Sequence, residues 1–415
     1  MENGHSADDS TIPTWINSEL LTEILSEDLN KDVIVTTFSA KRALPKGENY
    51  LSILYRVEVE YKENEASNDV EKFYMIIKSL PEGEIMQRVL SEIKGFEKEA
   101  YMYSHILPAM YQIIKSTKGK IHPLSAKRLT CSRDNIIVME DLKHLGFEMA
   151  KRQEGLDLDH CKLTVKSIAR FHAASLALYK KDPSFTERYV EGLYRNDMNS
   201  GKHIKTNMEA LASVVETWEG YEKYAESLRK ISLTALEKMV EIVMPKKDGF
   251  NVLNHGDCWV NNMLFRYNSE TGKVEDIRLL DFQIARYSSP ALDLQYFMCN
   301  CPNDEVRFQH RFTLLEVYYS ELADYCKSMS LESELISFEQ LKEEFEEKNF
   351  FGLITACTIL CVIVAEQEDV PDFKNMKDDN SEDIGSSFAK NTVSRKKFRE
   401  VFQKLLVFYN KKGLI

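Results

Sequence analysis

Positive charge is in short supply. The 54 Lys and Arg residues face 66 Asp and Glu, a net charge of −12 across 415 residues. Nucleic acid or an acidic bilayer is therefore repelled overall, and any phosphate ligand needs a local site. The opening MENGHSADDS is polar and acidic and has no apolar h-region, so no secretory signal is expected. The cysteines, at 131, 161, 258, 299, 301, 326, 357 and 361, show no repeated spacing of a disulfide framework. Reduced thiols in a cytoplasmic protein are the expectation. Cys299-Asn300-Cys301 is too sparse for a zinc site. No run is long enough for a membrane span. Residues 350–365, FFGLITACTILCVIVA, form the longest candidate at 16 residues, but as a helix they reach about 24 Å against a ~30 Å hydrocarbon core. Glu366 and Glu368 follow in place of a basic flank, so a helix buried in protein, with Cys357 and Cys361 in its core, is expected. No internal repeat is present.

What the chain does contain changes texture once. Residues 51–61, LSILYRVEVEY, put Leu51, Ile53, Tyr55, Val57, Val59 and Tyr61 on one face of a half-buried strand. A second strand follows at FYMIIKS, and AKRLTC, SRDN and IIVM read as a hairpin. Between them a helix is predicted from Ser91 to Leu107, with Ile93, Phe96, Ala100, Tyr103 and Leu107 as its stripe. Beyond residue 150 the periodicity is mostly helical, interrupted by strand-like runs at 251–281. Residues 366–391 are polar and acidic and read as a mobile surface loop. The fold class is thus α+β: a smaller β-rich lobe, residues 1–142, and a larger helical lobe, residues 143–415.

The stretch NHGDCWVNNMLFRY at 254–267 crowds polar groups ahead of an apolar strand, where burial is costly without a chemical reason. MLFRY and VEDIRLL flank the turn-like NSETGK. A hairpin centred between Thr271 and Gly272 would set Asn262 opposite Asp281 and Leu264 opposite Leu279. One amide and two carboxylates, with Asp257 on the adjoining loop, offer hard oxygens suited to Mg²⁺. Asp281 pairs with Asn262, which favours metal binding, while Asp257 is placed to take a proton from an attacking hydroxyl. Simple turn capping explains either Asp257 or Asn262 alone but not the spaced set.

The pattern His255-Gly256-Asp257, Asn262, Asp281 resembles the H-x-D-x-x-x-x-N … D signature of the aminoglycoside phosphotransferase and choline kinase superfamily. HGDCWVNNMLF, LLDFQ and SSPALDLQYF, with KGENYLSILYRV, FEKEAYMYSHILP and VMEDL, look like the ecdysteroid-kinase-like family across nearly the whole chain. The resemblance implies a protein-kinase-like bilobal fold, ATP with Mg²⁺, and transfer of the γ-phosphate to a small-molecule alcohol, an ecdysteroid or a xenobiotic hydroxyl in a detoxifying role. Asp257 would be the catalytic base, Asn262 and Asp281 the metal ligands, and His255 and Asp293 groups that order the loop. Lys78, otherwise readable as a strand-end lysine snorkelling to water, would grip the ATP phosphates. Helical periodicity leaves Glu97 and Glu99 as equal candidates to position it, and the pattern Phe96-x-x-Glu99-x-x-x-Tyr103 of the resemblance selects Glu99. The loop LPKGENYLS, through Gly47, Asn49 and the Ser52 hydroxyl, would cradle phosphate. Met139 to Leu142, including Glu140, would be the hinge whose backbone meets adenine. A monomer is expected.

Competing readings are weaker. A Cys258–His255 nucleophile leaves Asn262, Asp281 and Lys78 without work. His172 lies on an apolar helix face and reads as a hydrogen-bonded core histidine. Trp218, Tyr221 and Tyr224 read first as helix packing and, by the resemblance, as acceptor-pocket lining. Against protein-kinase activity stand HGD for HRD, DFQ for DFG and a single-glycine loop. The alternative from another class is a pseudokinase that binds nucleotide or small molecules without turnover.

Overall fold

The structure is a computed structural model that describes residues 12–44, 52–81, 84–118, 121–195, 198–366 and 390–415. Gly47 and Asn49 lie outside the described residues, as does the 366–391 loop except at its ends. Internal contacts divide the chain into two compact units: Met1–Glu82 with Lys127–Leu145, and Gly83–Ala126 with Gly146–Ile415.

The first unit is built on an antiparallel sheet. Its strands are β1 (Ile34–Arg42), β2 (Ile53–Lys62), β3 (Glu71–Ser79), β4 (Arg128–Leu129) and β5 (Ile136–Glu140), in the order β1-β2-β3-β5-β4. The period-two pattern of β2 buries Ile53, Tyr55, Val57, Val59 and Tyr61, as the sequence predicts. Helix α1 (Ser18–Leu29) covers this face with Leu20, Leu21, Ile24 and Leu25. It starts where the Asn17 side chain accepts the Leu20 N–H at 3.0 Å and stops at Asn30, which sits in the left-handed region at φ +51°. Lys78 on β3 lies opposite Leu54 and Ile137 and is only 2% exposed. That burial removes the snorkelling reading. At the end of β5, Glu140 accepts the Lys127 N–H at 2.7 Å, Asp141 pairs with Arg56 at 2.6 Å, and Leu142 is buried.

The second unit is mostly helical. Helix α2 (Glu84–Glu92), α3 (Gly95–Tyr101), a π-helical turn at Met102–Ile106 and α4 (Leu107–Lys118) replace the single predicted helix over 91–107. The break falls at Lys94, in the left-handed region at φ +52°. A Cβ on Gly95 beside it would lie 2.6 Å from the Leu90 Cδ1, so the leucine would have to shift to admit a side chain. The helices α5 (Leu158–Lys181), α6 (Met198–Val215), α7 (Glu222–Ser232), α8 (Ala235–Val243) and α9 (Ala291–Asn300) make the body of this unit with the helices after residue 303. Residues 350–365 are buried within it, as Asn349–Thr358 and Leu360–Val364 broken at Ile359. Among the described residues no helix is long and apolar enough to cross a membrane.

Two small sheets carry the 251–288 region. Strand β6 (Phe147–Met149) pairs with β8 (Met263–Tyr267), which pairs with β9 (Val274–Leu279); β7 (Val252–Asn254) pairs with β10 (Arg286–Ser288). The hairpin forms, but its register is one residue from the predicted one: Met263 faces Leu279 and Leu264 faces Arg278. The turn explains the slip. Asn268 closes it by accepting the Gly272 N–H and donating to Lys273, and an irregularity follows between Arg266 and Tyr267. Asn262 consequently meets Leu280, whose N–H it accepts at 2.9 Å, and Asp281 stands one residue beyond.

Ile77, fully buried in the first unit's sheet, gives a test of this core. Ile77→Ala is expected to cost about 2–5 kcal/mol of unfolding free energy, read from a urea melt.

Candidate active site

The loop after β7 turns sharply because its second residue is a glycine. Gly256 sits at φ +84°, and a Cβ there would fall 2.2 Å from the Ile284 carbonyl oxygen. The turned backbone points two N–H groups at one carboxylate. Asp293 on α9 accepts from His255 N at 2.7 Å and from Gly256 N at 2.9 Å. Its own position is set by His172 of α5, whose Nε2 lies 3.1 Å from Oδ2 while Nδ1 meets the Tyr318 hydroxyl at 2.8 Å. Burial alone would raise the Asp293 pKa, but His172 and the backbone donors more than offset it and the group is held below its ordinary value. His172 is thus a buried, hydrogen-bonded core histidine, as predicted, and it supports the loop through Asp293.

His255 ties the two halves of the site together. Its Nε2 donates to the Leu280 carbonyl at 2.8 Å, and its Nδ1 accepts the Asp257 N–H at 3.3 Å. This pair of contacts assigns the tautomer with hydrogen on Nε2. Burial lowers the His255 pKa, which keeps the ring neutral in that role. Phe282, fully buried between the rings of Tyr103, Phe171 and His255, anchors the next turn. Asp281 beside it adopts φ +65°, in the left-handed region.

Asp257 is gripped on both oxygens. The Tyr296 hydroxyl donates to Oδ1 at 2.6 Å, and Asn262 Nδ2 donates to Oδ2 at 2.9 Å and to the Asp257 carbonyl at 3.1 Å. Burial pushes its pKa up to about 7, the nearby Asp281 charge adds to the rise, and the two hydrogen bonds restrain it. Asn262 thus spends its amide hydrogens on Asp257, and its side-chain oxygen takes no part in those two bonds. That oxygen and the Asp281 carboxylate are hard donors of the kind Mg²⁺ takes, with water and phosphate completing the shell.

The remaining predicted residues are placed unit by unit. Glu99 on α3 is 1% exposed whereas Glu97 is exposed, so the carboxylate turned inward is that of Glu99. In the first unit Lys78 and Ser52 are both buried. Cys258 is buried and burial raises its thiol well above the ordinary value, which makes it a poor nucleophile. Trp218 and Tyr224 are buried in packing contacts, with Arg399 over the Trp218 ring. A cavity of about 420 Å³, lined by Lys94, Lys98, Tyr101, Phe185, Arg188 and Glu191 among others, includes none of the loop acids. Sequence reasoning assigned no role to Tyr296. The available signal was its spacing, three residues after Asp293 on one helix, which sets both side chains toward one loop.

Removing the Asp293 carboxylate strands two buried N–H groups and His172. Asp293→Ala is expected to cost about 1–3 kcal/mol or more in chemical unfolding, as leaving buried donors without their acceptor does. Gly256→Ala must move the Ile284 carbonyl and is expected to lower the melting temperature as well.

A search of the curated proteins finds no match. Among solved structures the chain is similar to the GDP complex of a mutant aminoglycoside 2'-phosphotransferase-IIIa, with TM-score 0.43 and 13% identity over 91% of this chain and 97% of that one. It is similar to the GDP complex of the wild-type protein, at 0.41 and 12% over 90% and 99%. It is also similar to a thermostable mutant of aminoglycoside phosphotransferase APH(4)-Ia in its apo form, at 0.31 and 10% over 92% and 98%. The model of the ecdysteroid kinase-like family matches residues 46–331, well over half of the chain. The chain belongs to the ecdysteroid kinase-like family.

Proposed function

We propose that this protein is an ATP-dependent phosphotransferase whose acceptor is the hydroxyl of a small molecule, an ecdysteroid or a xenobiotic alcohol. Membership of a family of kinase-like small-molecule phosphotransferases supports the reaction class. The observation that carries the reading is the grip on Asp257, one oxygen on Tyr296 and the other on Asn262. A carboxylate so held is oriented, and with a pKa near 7 it is matched to general-base work at neutral pH.

In this reading Asp257 accepts the proton of the acceptor hydroxyl as its oxygen bonds to the γ-phosphorus of ATP. The bond from that phosphorus to the bridging oxygen breaks, and ADP leaves. Asn262 Oδ1 and Asp281 hold Mg²⁺, which when bound neutralises the triphosphate and orients its terminal phosphoryl group. Lys78 and Glu99 serve the phosphates, Gly47, Asn49 and Ser52 their covering loop, and the backbone near Glu140 and Leu142 the adenine. His255 keeps the catalytic loop against the strand that delivers Asp281 and does not transfer protons. Tyr296 holds the base in line with its substrate, so it is a positioning residue.

Incubation with MgATP and a panel of sterols, amino alcohols and plant phenolics is expected to give acceptor-dependent ADP. Asp257→Ala is expected to reduce that turnover by about 10²-fold or more while MgATP binding, followed by calorimetry, persists. Turnover like that of the natural chain in this variant contradicts the assignment. Ligand-induced stabilisation without any ADP supports a binding protein in place of an enzyme.

A further inference from the structure

The ammonium of Lys98 is buried against main chain. Lys98 lies on α3 and is 3% exposed. Its Nζ donates to the Glu191 main-chain carbonyl, and the Lys98 carbonyl accepts the Tyr189 hydroxyl at 3.2 Å. Side chain and backbone of this lysine are thus both held by the segment 189–191. Among the described residues no carboxylate forms an ion pair with it. Stripping an ammonium of water without supplying a counter-ion favours the neutral amine, and one carbonyl satisfies only one of its three donors. Burial draws the Lys98 pKa down to about 8, and the Arg286 charge adds to the fall. Glu191 opposes it, while Lys94 and Arg195 act in the same direction as Arg286.

The same lysine lines the cavity of about 420 Å³, so a small solute can reach it. The wall sets Glu97, Glu187 and Glu191 against Lys94, Arg188 and Lys98, so no strong excess of either sign selects an ion. All of these but Lys98 are exposed residues, whose charges water screens. Arg188 is further engaged by the Tyr101 ring, over which its guanidinium lies at 4.3 Å. Tyr101 and the buried Phe185 give the wall its aromatic surface. A desolvated lysine among other cations is the arrangement that makes an amine nucleophilic near neutral pH.

We infer that Lys98 is a covalent attachment site for a small uncharged carbonyl compound, an aldehyde or ketone, that enters this cavity. The nitrogen lone pair bonds to the carbonyl carbon, and the carbonyl oxygen takes up a proton. The resulting hydroxyl leaves as water, which carries away both amine hydrogens, and an imine remains. The exchange is redox-neutral and does not rest on the phosphotransfer reading.

Benzaldehyde is the probe. The natural chain is incubated with a limiting amount near neutral pH, the imine is reduced with sodium cyanoborohydride, and benzylated lysines are located by peptide mass spectrometry. Lys98 is expected to be labelled about tenfold or more faster than any exposed lysine. Its rate should rise as the pH climbs through about 8, where the ammonium loses its proton, whereas exposed lysines respond only toward pH ~10. Unfolding in urea should erase the preference, because the burial that produces it has gone. Lys98→Arg keeps a cation and a donor for the Glu191 carbonyl, and it should remove the fast phase while leaving the slow labelling unchanged. The inference is overturned if Lys98 reacts no faster than the exposed lysines, if its preference survives in urea, or if the fast phase persists in Lys98→Arg. The map of the natural chain decides the question even where that variant does not fold.

Discussion

The Asp293 carboxylate is the constraint on which the site depends. It is buried with His172, and each of its oxygens accepts a main-chain N–H of the loop after β7. Such charge-assisted bonds are short and directional, and leaving them unmade in the interior is expensive. They fix the backbone of His255 and Gly256, and the positive φ of Gly256 then sends Asp257 away from Asp293. Two acids in one small region are thereby given different partners. Asp293 answers to donors and stays ionised, whereas Asp257, with burial as the larger influence, rises toward neutrality.

The same loop is tied to the segment at 280–282 by a neutral imidazole. His255 bonds the Leu280 carbonyl and the Asp257 amide at once, so the two segments are joined through one ring. Asn262 adds a second tie, its backbone to Leu280 and its side chain to Asp257. The result is a loop whose side chains are fixed in place, the kind of preorganisation by which the proposed phosphoryl transfer would gain most of its rate. Family membership supports the phosphotransferase class of chemistry.

Much of this was legible in the residues. Alternating burial in β2, the buried apolar stretch at 350–365 and the inward glutamate at 99 follow from periodicity, length or motif. The hairpin at 263–279 was visible, but its register was not, because Asn268 closes the turn symmetrically over NSETGK and an irregularity between Arg266 and Tyr267 then shifts the pairing. The helix predicted over 91–107 missed its break since the apolar stripe continues across Lys94, and only the backbone conformation there reveals the kink. Tyr296 escaped because a tyrosine in an apolar helix reads as core until its hydroxyl is seen to meet Asp257.

The central claim is a division of labour, in which Asp281 holds the divalent ion and Asp257 serves the acceptor. Electron paramagnetic resonance of Mn²⁺, substituted for Mg²⁺ in the presence of ADP, tests it most directly. The account predicts that Asp281→Asn loses the protein-bound Mn²⁺ signal while Asp257→Asn keeps it, although both variants lose phosphotransfer. Retention of bound Mn²⁺ in Asp281→Asn, or its loss only in Asp257→Asn, would contradict the account.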